Sequence, residues 1–330
     1  MEFLYLLEKI RNPVFNFFFL LITHLGEEIA FLAIAIVFFW CVDKKRGYFI
    51  LLTGLVGTVI NQAMKLIFKV PRPWIKDTSF TFVGDANVEA TGYSFPSGHT
   101  QNTAGTFGAI AMTSNKKWKK IVCIVLIALV AFSRMYLGVH TPLDVGVSLL
   151  IAAALLLLFN PIFKSDERLD KCAPYICIGA FVLSLGLLLF TFLMSGEGVD
   201  AANLYSGKKN AVTLFACMLG FPIIYYTDKY YIRFETRAAW YVQVIKVVVG
   251  LGVVLAIMKL LPTPLEFIFG NYFVARGVRY FLIVIFAGVL WPLSFKKLAK
   301  IKIKWLDELP AKIKSRVFSK KKNATEDSEI

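Results

Sequence analysis

The stretch Ser94-Phe95-Pro96-Ser97-Gly98-His99-Thr100 carries one of only three histidines in the chain. A second, His140, closes the run Ser133-Arg134-Met135-Tyr136-Leu137-Gly138-Val139-His140, and Asp144 follows four residues later. Imidazole can move a proton or attack an electrophile near neutral pH. A carboxylate on one ring nitrogen fixes the tautomer and leaves the other nitrogen as nucleophile. Thr141-Pro142-Leu143-Asp144 reads as a helix start, with His140 just before it. Pro96-Ser97-Gly98-His99 reads as another. Free N–H groups there attract anions, Gly98 allows close approach, and Ser97 can cap the helix or donate its hydroxyl. Lys65 and Arg72 are seven apart, close to two helical turns, so both can share one face. The planar guanidinium suits two phosphate oxygens, the ammonium acts as a point charge, and Arg134 adds a third cation. Each cluster alone has a plainer reading: snorkelling cations, an ordinary cap, and a favourable charge at a helix N-terminus.

The elements that carry these residues are set by composition. The 330 residues are 57% hydrophobic and 18% charged, with a mean hydropathy of +0.64. The apolar excess falls in runs of roughly 17–22 residues, the length that crosses a bilayer core. Backbone groups in lipid must pair within their own segment, so the spans are expected to be helices. The fold class is an all-α polytopic membrane bundle. The net charge of +15 sits in short loops and the tail, as in topology-setting segments and contacts to anionic lipid, and no aromatic-interleaved groove for nucleic acid is visible. The five cysteines lie in or beside apolar runs without metal-ligand spacing and read as free thiols. The N-terminus lacks a basic segment and a cleavage site and is read as retained.

In order, residues 1–25 form an interfacial or half-spanning helix, broken by charges and Pro13. Spans follow at 29–42, 48–69, 97–113, 121–137 and 143–159, inside a catalytic core of residues 26–163. Four more, at 175–194, 211–226, 240–261 and 280–295, make an accessory bundle over 172–296 that lines or widens lipid access. Lys246 and Lys259 are expected to snorkel, and 203–209 to be a loop. The tail, 297–330, is basic, then polar and disordered. The basic loops at 43–46, 116–120, 164–171 and 228–237, with the tail, alternate onto one side, expected to be cytoplasmic. Both histidine clusters then share the opposite, extracytoplasmic face.

Together, Lys65-x6-Arg72-Pro73, Pro96-Ser97-Gly98-His99 and Ser133-Arg134-x5-His140-x3-Asp144 resemble the three-part signature of the type 2 phosphatidic acid phosphatase (PAP2) superfamily, in order, spacing and residue type. The resemblance covers roughly residues 25–160. It implies a helical core and a metal-independent phosphomonoesterase or diphosphatase with a phosphohistidine intermediate and no cofactor. Carried over by position, His140 is the nucleophile, Asp144 orients it and His99 protonates the leaving oxygen. Lys65, Arg72, Ser97, Gly98 and Arg134 hold the phosphoryl oxygens. Thr23-His24-Leu25-Gly26-Glu27-Glu28 is loosely similar to the opening segment of the sphingosine-phosphate phosphatase branch and its bacterial relatives. Here His24 reads as an interfacial or packing residue and Glu27 and Glu28 as a solvated turn. The expected substrate is a lipid phosphate: undecaprenyl diphosphate, phosphatidic acid, phosphatidylglycerol phosphate or a sphingoid phosphate. Compact loops favour a bacterial plasma membrane. Two alternatives stand beside the hydrolase, a lipid transporter or scramblase with a phosphate-recognition site and a haloperoxidase-like relative.

Overall fold

The computed structural model describes residues 1–84, 92–194, 200–303 and 305–306, and the regular structure among them is helical. The N-terminal segment, expected as one helix, is two. Helix α1 (Glu2–Lys9) ends before Arg11, and Asn12 caps α2 (Pro13–Thr23) by accepting from Phe15 N at 3.0 Å. Proline at the first helical position starts α2 without losing a bond. A 3₁₀ turn, His24–Gly26, leads into α3 (Glu28–Val37), which a π-helical turn extends to Val42. The two halves, Pro13–Gly26 and Glu28–Val42, are bent by 54° at their junction, the geometry of a broken span or a re-entrant loop.

Helix α4 (Lys44–Phe68) starts on an Asp43 cap, and its last turn holds Lys65. It packs on α5 (Gly98–Thr113), which also touches α6 (Lys117–Tyr136) and α7 (Pro142–Phe163). Every residue of α5 from Thr100 to Ala109 is buried, so the helix is enclosed by protein on all sides. That enclosure lets it carry Thr100, Gln101, Asn102, Thr103 and Thr106. Helices stand where spans are expected at 97–113 and 121–137, the first of them polar because protein encloses it. Among the described residues, six helices are long and apolar enough to cross a bilayer by length and composition, up to seven with the bent pair; α5, with 16 residues, and α6, which carries Lys117, Lys119, Lys120 and Arg134, fall outside that count. The chain is an integral membrane protein with multiple spans.

The accessory half is more helical than expected. Helix α8 (Asp166–Leu193) takes in most of the charged loop at 164–171. Asp200 accepts from Asn203 N at 2.7 Å and starts α9 (Ala201–Thr227), so 203–209 is helix and not loop. Then come α10 (Trp240–Leu260), α11 (Pro262–Phe269) and α12 (Tyr272–Ile285), the last continued by a π-helical turn to Leu290. Helix α9 packs on both α4 and α12. At the end away from the histidines, Trp40 Nε1 donates to Ala287 O at 2.8 Å, and Trp291 Nε1 donates to Lys246 O at 3.0 Å. Lys44 Nζ pairs with both carboxylate oxygens of Asp228 at 2.9 and 2.8 Å. Lys246 does not reach water. It is fully buried, its ammonium 3.4 Å from the carbonyls of Glu235 and Thr236 and 4.5 Å from the Phe295 ring centroid. Stopping at carbonyls and a ring face satisfies the charge without snorkelling. The tail from 307 on lies outside the described residues, as do 85–91 and 195–199.

Candidate active site

A cavity of about 400 Å³ opens where α3, α4, α5 and α6 meet the turn before α7. Lys65, Arg72, Gly98, His99, Arg134 and His140 all line it. Residues separated by up to 75 positions in sequence therefore face one space.

His140 is placed by a tight turn. The backbone N–H groups of Val139 and His140 both donate to Arg134 O, at 3.1 and 3.2 Å. Gly138 has φ of 82°, and a Cβ there would stand 2.7 Å from Arg11 Nη2. Glycine is required at that position on both counts. Arg72 Nη1 lies 3.0 Å from His140 Nε2. A guanidinium only donates, so Nε2 must carry the lone pair and Nδ1 the proton. Nδ1 lies 3.4 Å from Asp144 Oδ2. Burial first, then the charges of Arg72, Lys65 and Arg134, push the His140 pKa well below its ordinary value.

Asp144 is itself held. Its Oδ2 accepts from Ser94 Oγ at 2.6 Å and from Thr141 N at 2.8 Å. Thr141 Oγ1 accepts from Asp144 N at 3.3 Å, completing a reciprocal capping box at the start of α7. The plain reading of Asp144 as a helix-start charge and its place behind His140 therefore hold together. Ser97 is the cap of α5 and fully buried, its Oγ accepting from Thr100 N at 3.4 Å and Thr100 Oγ1 at 3.0 Å. It stands behind Gly98 and is not among the residues that line the cavity.

The cations are engaged from behind. Lys65 Nζ donates to Tyr93 O at 2.5 Å and lies 3.5 Å from Ser94 O. Arg72 also donates to Gly92 O at 3.1 Å and Val139 O at 3.0 Å. Arg134 Nη1 donates to Thr23 Oγ1 at 2.5 Å. The turn after Thr23 packs so closely that a Cβ on Gly26 would meet His99 Cβ at 2.8 Å. His24 points away, more than half exposed and paired with Glu27. Glu27 and Glu28 line the cavity, where the sequence suggested a solvated turn.

Sequence reasoning missed two amides. Asn61, one turn before Lys65, is 1% exposed, and neither polar atom of its amide has a hydrogen-bond partner. Its Oδ1 lies 3.9 Å from where a Cβ on Gly98 would stand. Gln101 is likewise buried and unpartnered, and both line the cavity. An amide four residues from a cation within an apolar span was the available signal. Asn210, Leu214, Met258 and Tyr280 complete the wall from the accessory half. Among the described residues, no group of three His, Cys, Asp or Glu side chains is placed to hold a metal ion.

This arrangement of cations, helix N-terminus and paired histidines fits a phosphoryl group. The sequence profile of the PAP2 superfamily matches residues 46–168. The chain belongs to the PAP2 superfamily. A second profile, the transmembrane extension of PAP2 superfamily phosphatases, matches residues 212–303. The chain is thus a PAP2-superfamily core followed by the family's C-terminal transmembrane extension. Mouse sphingosine-1-phosphate phosphatase 1 is 27% identical over 194 residues, 56% of this chain and 44% of that protein. Phosphatidylglycerophosphatase B of Bacillus subtilis is 32% identical over 178 residues, 49% of this chain and 80% of its own length. Undecaprenyl-diphosphatase BcrC of Bacillus subtilis is 32% identical over 117 residues, 36% of this chain and 58% of that protein. The PAP2 chain therefore spans less than half the length of the mouse relative. No solved structure matches it.

Proposed function

We propose that this PAP2 phosphatase hydrolyses a lipid phosphomonoester or diphosphate through a phosphohistidine on His140, with protein cations in place of a metal ion. The observation that carries the reading is the polarity of the His140 ring. Nε2 presents a lone pair to the cavity cations while Nδ1 faces Asp144. In the first step Nε2 forms a bond to phosphorus as the bond from phosphorus to the bridging oxygen breaks. His99 gives its proton to the departing oxygen. Water then attacks phosphorus, His99 takes its proton, the N–P bond breaks and inorganic phosphate leaves. Lys65, Arg72, Arg134 and the N–H groups at the start of α5, which Ser97 caps and Gly98 leaves open, stabilise the equatorial oxygens through both steps. Asn61 and Gln101 add neutral donors beside them.

A charged site at helix ends, beside apolar spans, suits a head group whose tails stay in lipid. The activities of the relatives point to phosphatidylglycerol phosphate, undecaprenyl diphosphate and sphingoid phosphates, and phosphatidic acid belongs in the same panel. A polyprenyl diphosphate or glycerophospholipid phosphate ranks first, since the bacterial relatives align over more of their own length. Purified enzyme in detergent should release phosphate from one of these four in EDTA. A strict requirement for added Mg²⁺ would sink the mechanism.

A further inference from the structure

A second cavity, of about 110 Å³, lies between the PAP2 core and the extension. It shares Leu32, Met258 and Tyr280 with the cavity that holds the histidines. Beyond those three, its walls are Leu51 and Leu55 of α4, Phe221 and Ile224 of α9, Val254 of α10, and Ile283 and Ala287 of α12 and the turn beyond it, with few polar atoms among them. Tyr48 sits at the far end, its buried hydroxyl without a hydrogen-bond partner.

We infer that this cavity is the hydrocarbon-chain site of the enzyme and that the extension exists in part to build it. The inference rests on the lipid phosphatase reading above. Three observations carry it. The two spaces share walls, so a phosphate at His140 has its chain directed at Leu32, Met258 and Tyr280. Depth is the second. At 1.5 Å per residue, Leu55 lies about 15 Å along α4 from Lys65 and Leu51 about 21 Å, so the cavity lies where a chain of one leaflet's half-thickness, about 15 Å, comes to its end. Finally, a volume of about 110 Å³ holds only a few methylene groups, so it takes the end of one chain and leaves any second chain in lipid. A chain already dissolved in lipid gains little from mere apolar surroundings. The site therefore acts by shape, reading chain length and branching, and it is formed only when core and extension are docked.

The probes are butyl phosphate and hexadecyl phosphate, which share a head group. Wild type should favour the long chain in kcat/KM. Val254→Phe fills the smaller cavity without touching the histidine cavity. It should lower kcat/KM for hexadecyl phosphate about tenfold, as overpacking does, and leave butyl phosphate within about twofold. Ala287→Leu, on another element, should do the same if Val254→Phe fails to fold. Equal loss on both probes, or no loss on either, overturns the inference. A hexadecyl phosphate with a photoreactive diazirine near the chain end reports binding separately. It should label Val254 and its neighbours, and excess hexadecyl phosphate should compete. Labelling there without any phosphate release would defeat the hydrolase and leave the chain site standing. Phosphate release with label confined to the outer faces of the bundle would do the reverse.

Discussion

His140, buried and flanked by three cations, should stay neutral and nucleophilic well below pH 6.5. Protonation destroys the attacking lone pair, so a lowered pKa moves the acid loss of activity to lower pH. Arg72→Gln removes the cation nearest Nε2 and should move the acid limb of kcat/KM upward on the same substrate, whose own ionisation then cancels. His140→Ala should cost about four orders of magnitude or more in phosphate release. His99→Ala should be most damaging on poor leaving groups, and wild-type behaviour there would remove its role as acid. Asn61→Leu is more diagnostic of a residue no motif marks. Its amide is buried without a partner, so losing it should leave thermal stability equal or higher, while kcat/KM falls about tenfold to a hundredfold. A stability loss with unchanged kinetics would mean the amide serves packing. The signature residues were legible because three spaced clusters agree. Asn61 and Gln101 were not, because a lone amide in an apolar run gains meaning only from what faces it.

Among elements, turns decide what helices cannot. Gly138→Ala forces a Cβ into a left-handed position already crowded by Arg11, Phe80 and Thr81. It should destabilise the fold by about 1–3 kcal/mol and cut activity, since His140 lies two residues on, with thermal midpoint and phosphate release as readouts. The docking of the extension has its own test. A Cβ at Gly250 would stand 2.5 Å from Trp40 and Trp291 atoms. Gly250→Leu should therefore lower the thermal midpoint by several degrees, where an exposed lipid-facing change such as Val248→Leu should not. Hydropathy found the spans of the second half, but not that 203–209 continues α9. That depended on a single cap at Asp200. It placed α5 but gave no account of its polar residues, because composition alone does not show that a helix is wrapped by protein. The wall residues Asn210, Leu214, Met258 and Tyr280 belong to no pattern. Only docking gives them a site to face.

At the scale of the whole molecule, the charged loops lie at the ends of helices opposite the histidine cavity. By charge, those ends should be cytoplasmic and the active site extracytoplasmic. A membrane-impermeant maleimide should label Thr78→Cys in intact cells and label Lys116→Cys only after permeabilisation; the reverse result would invert the orientation. The bent pair, α2 and α3, has no counterpart in a hydropathy profile. Its bend lies against His99 and Arg134, so the change of direction sits beside the proposed chemistry. Helix α1 and the residues after it add further ties, with Tyr5 donating to Asp77 at 2.5 Å and Arg11, beyond the helix end, donating to Tyr136 O at 3.0 Å.

The carbonyls of Gly92, Tyr93 and Ser94 gather behind Lys65 and Arg72. These two cations come from either side of the end of α4, yet one short run of peptide backbone aims both. Because the acceptors are main-chain oxygens, exchanging a side chain on that run leaves the anchor in place. Only a change in the path of the backbone would move the two charges, and it would move them together.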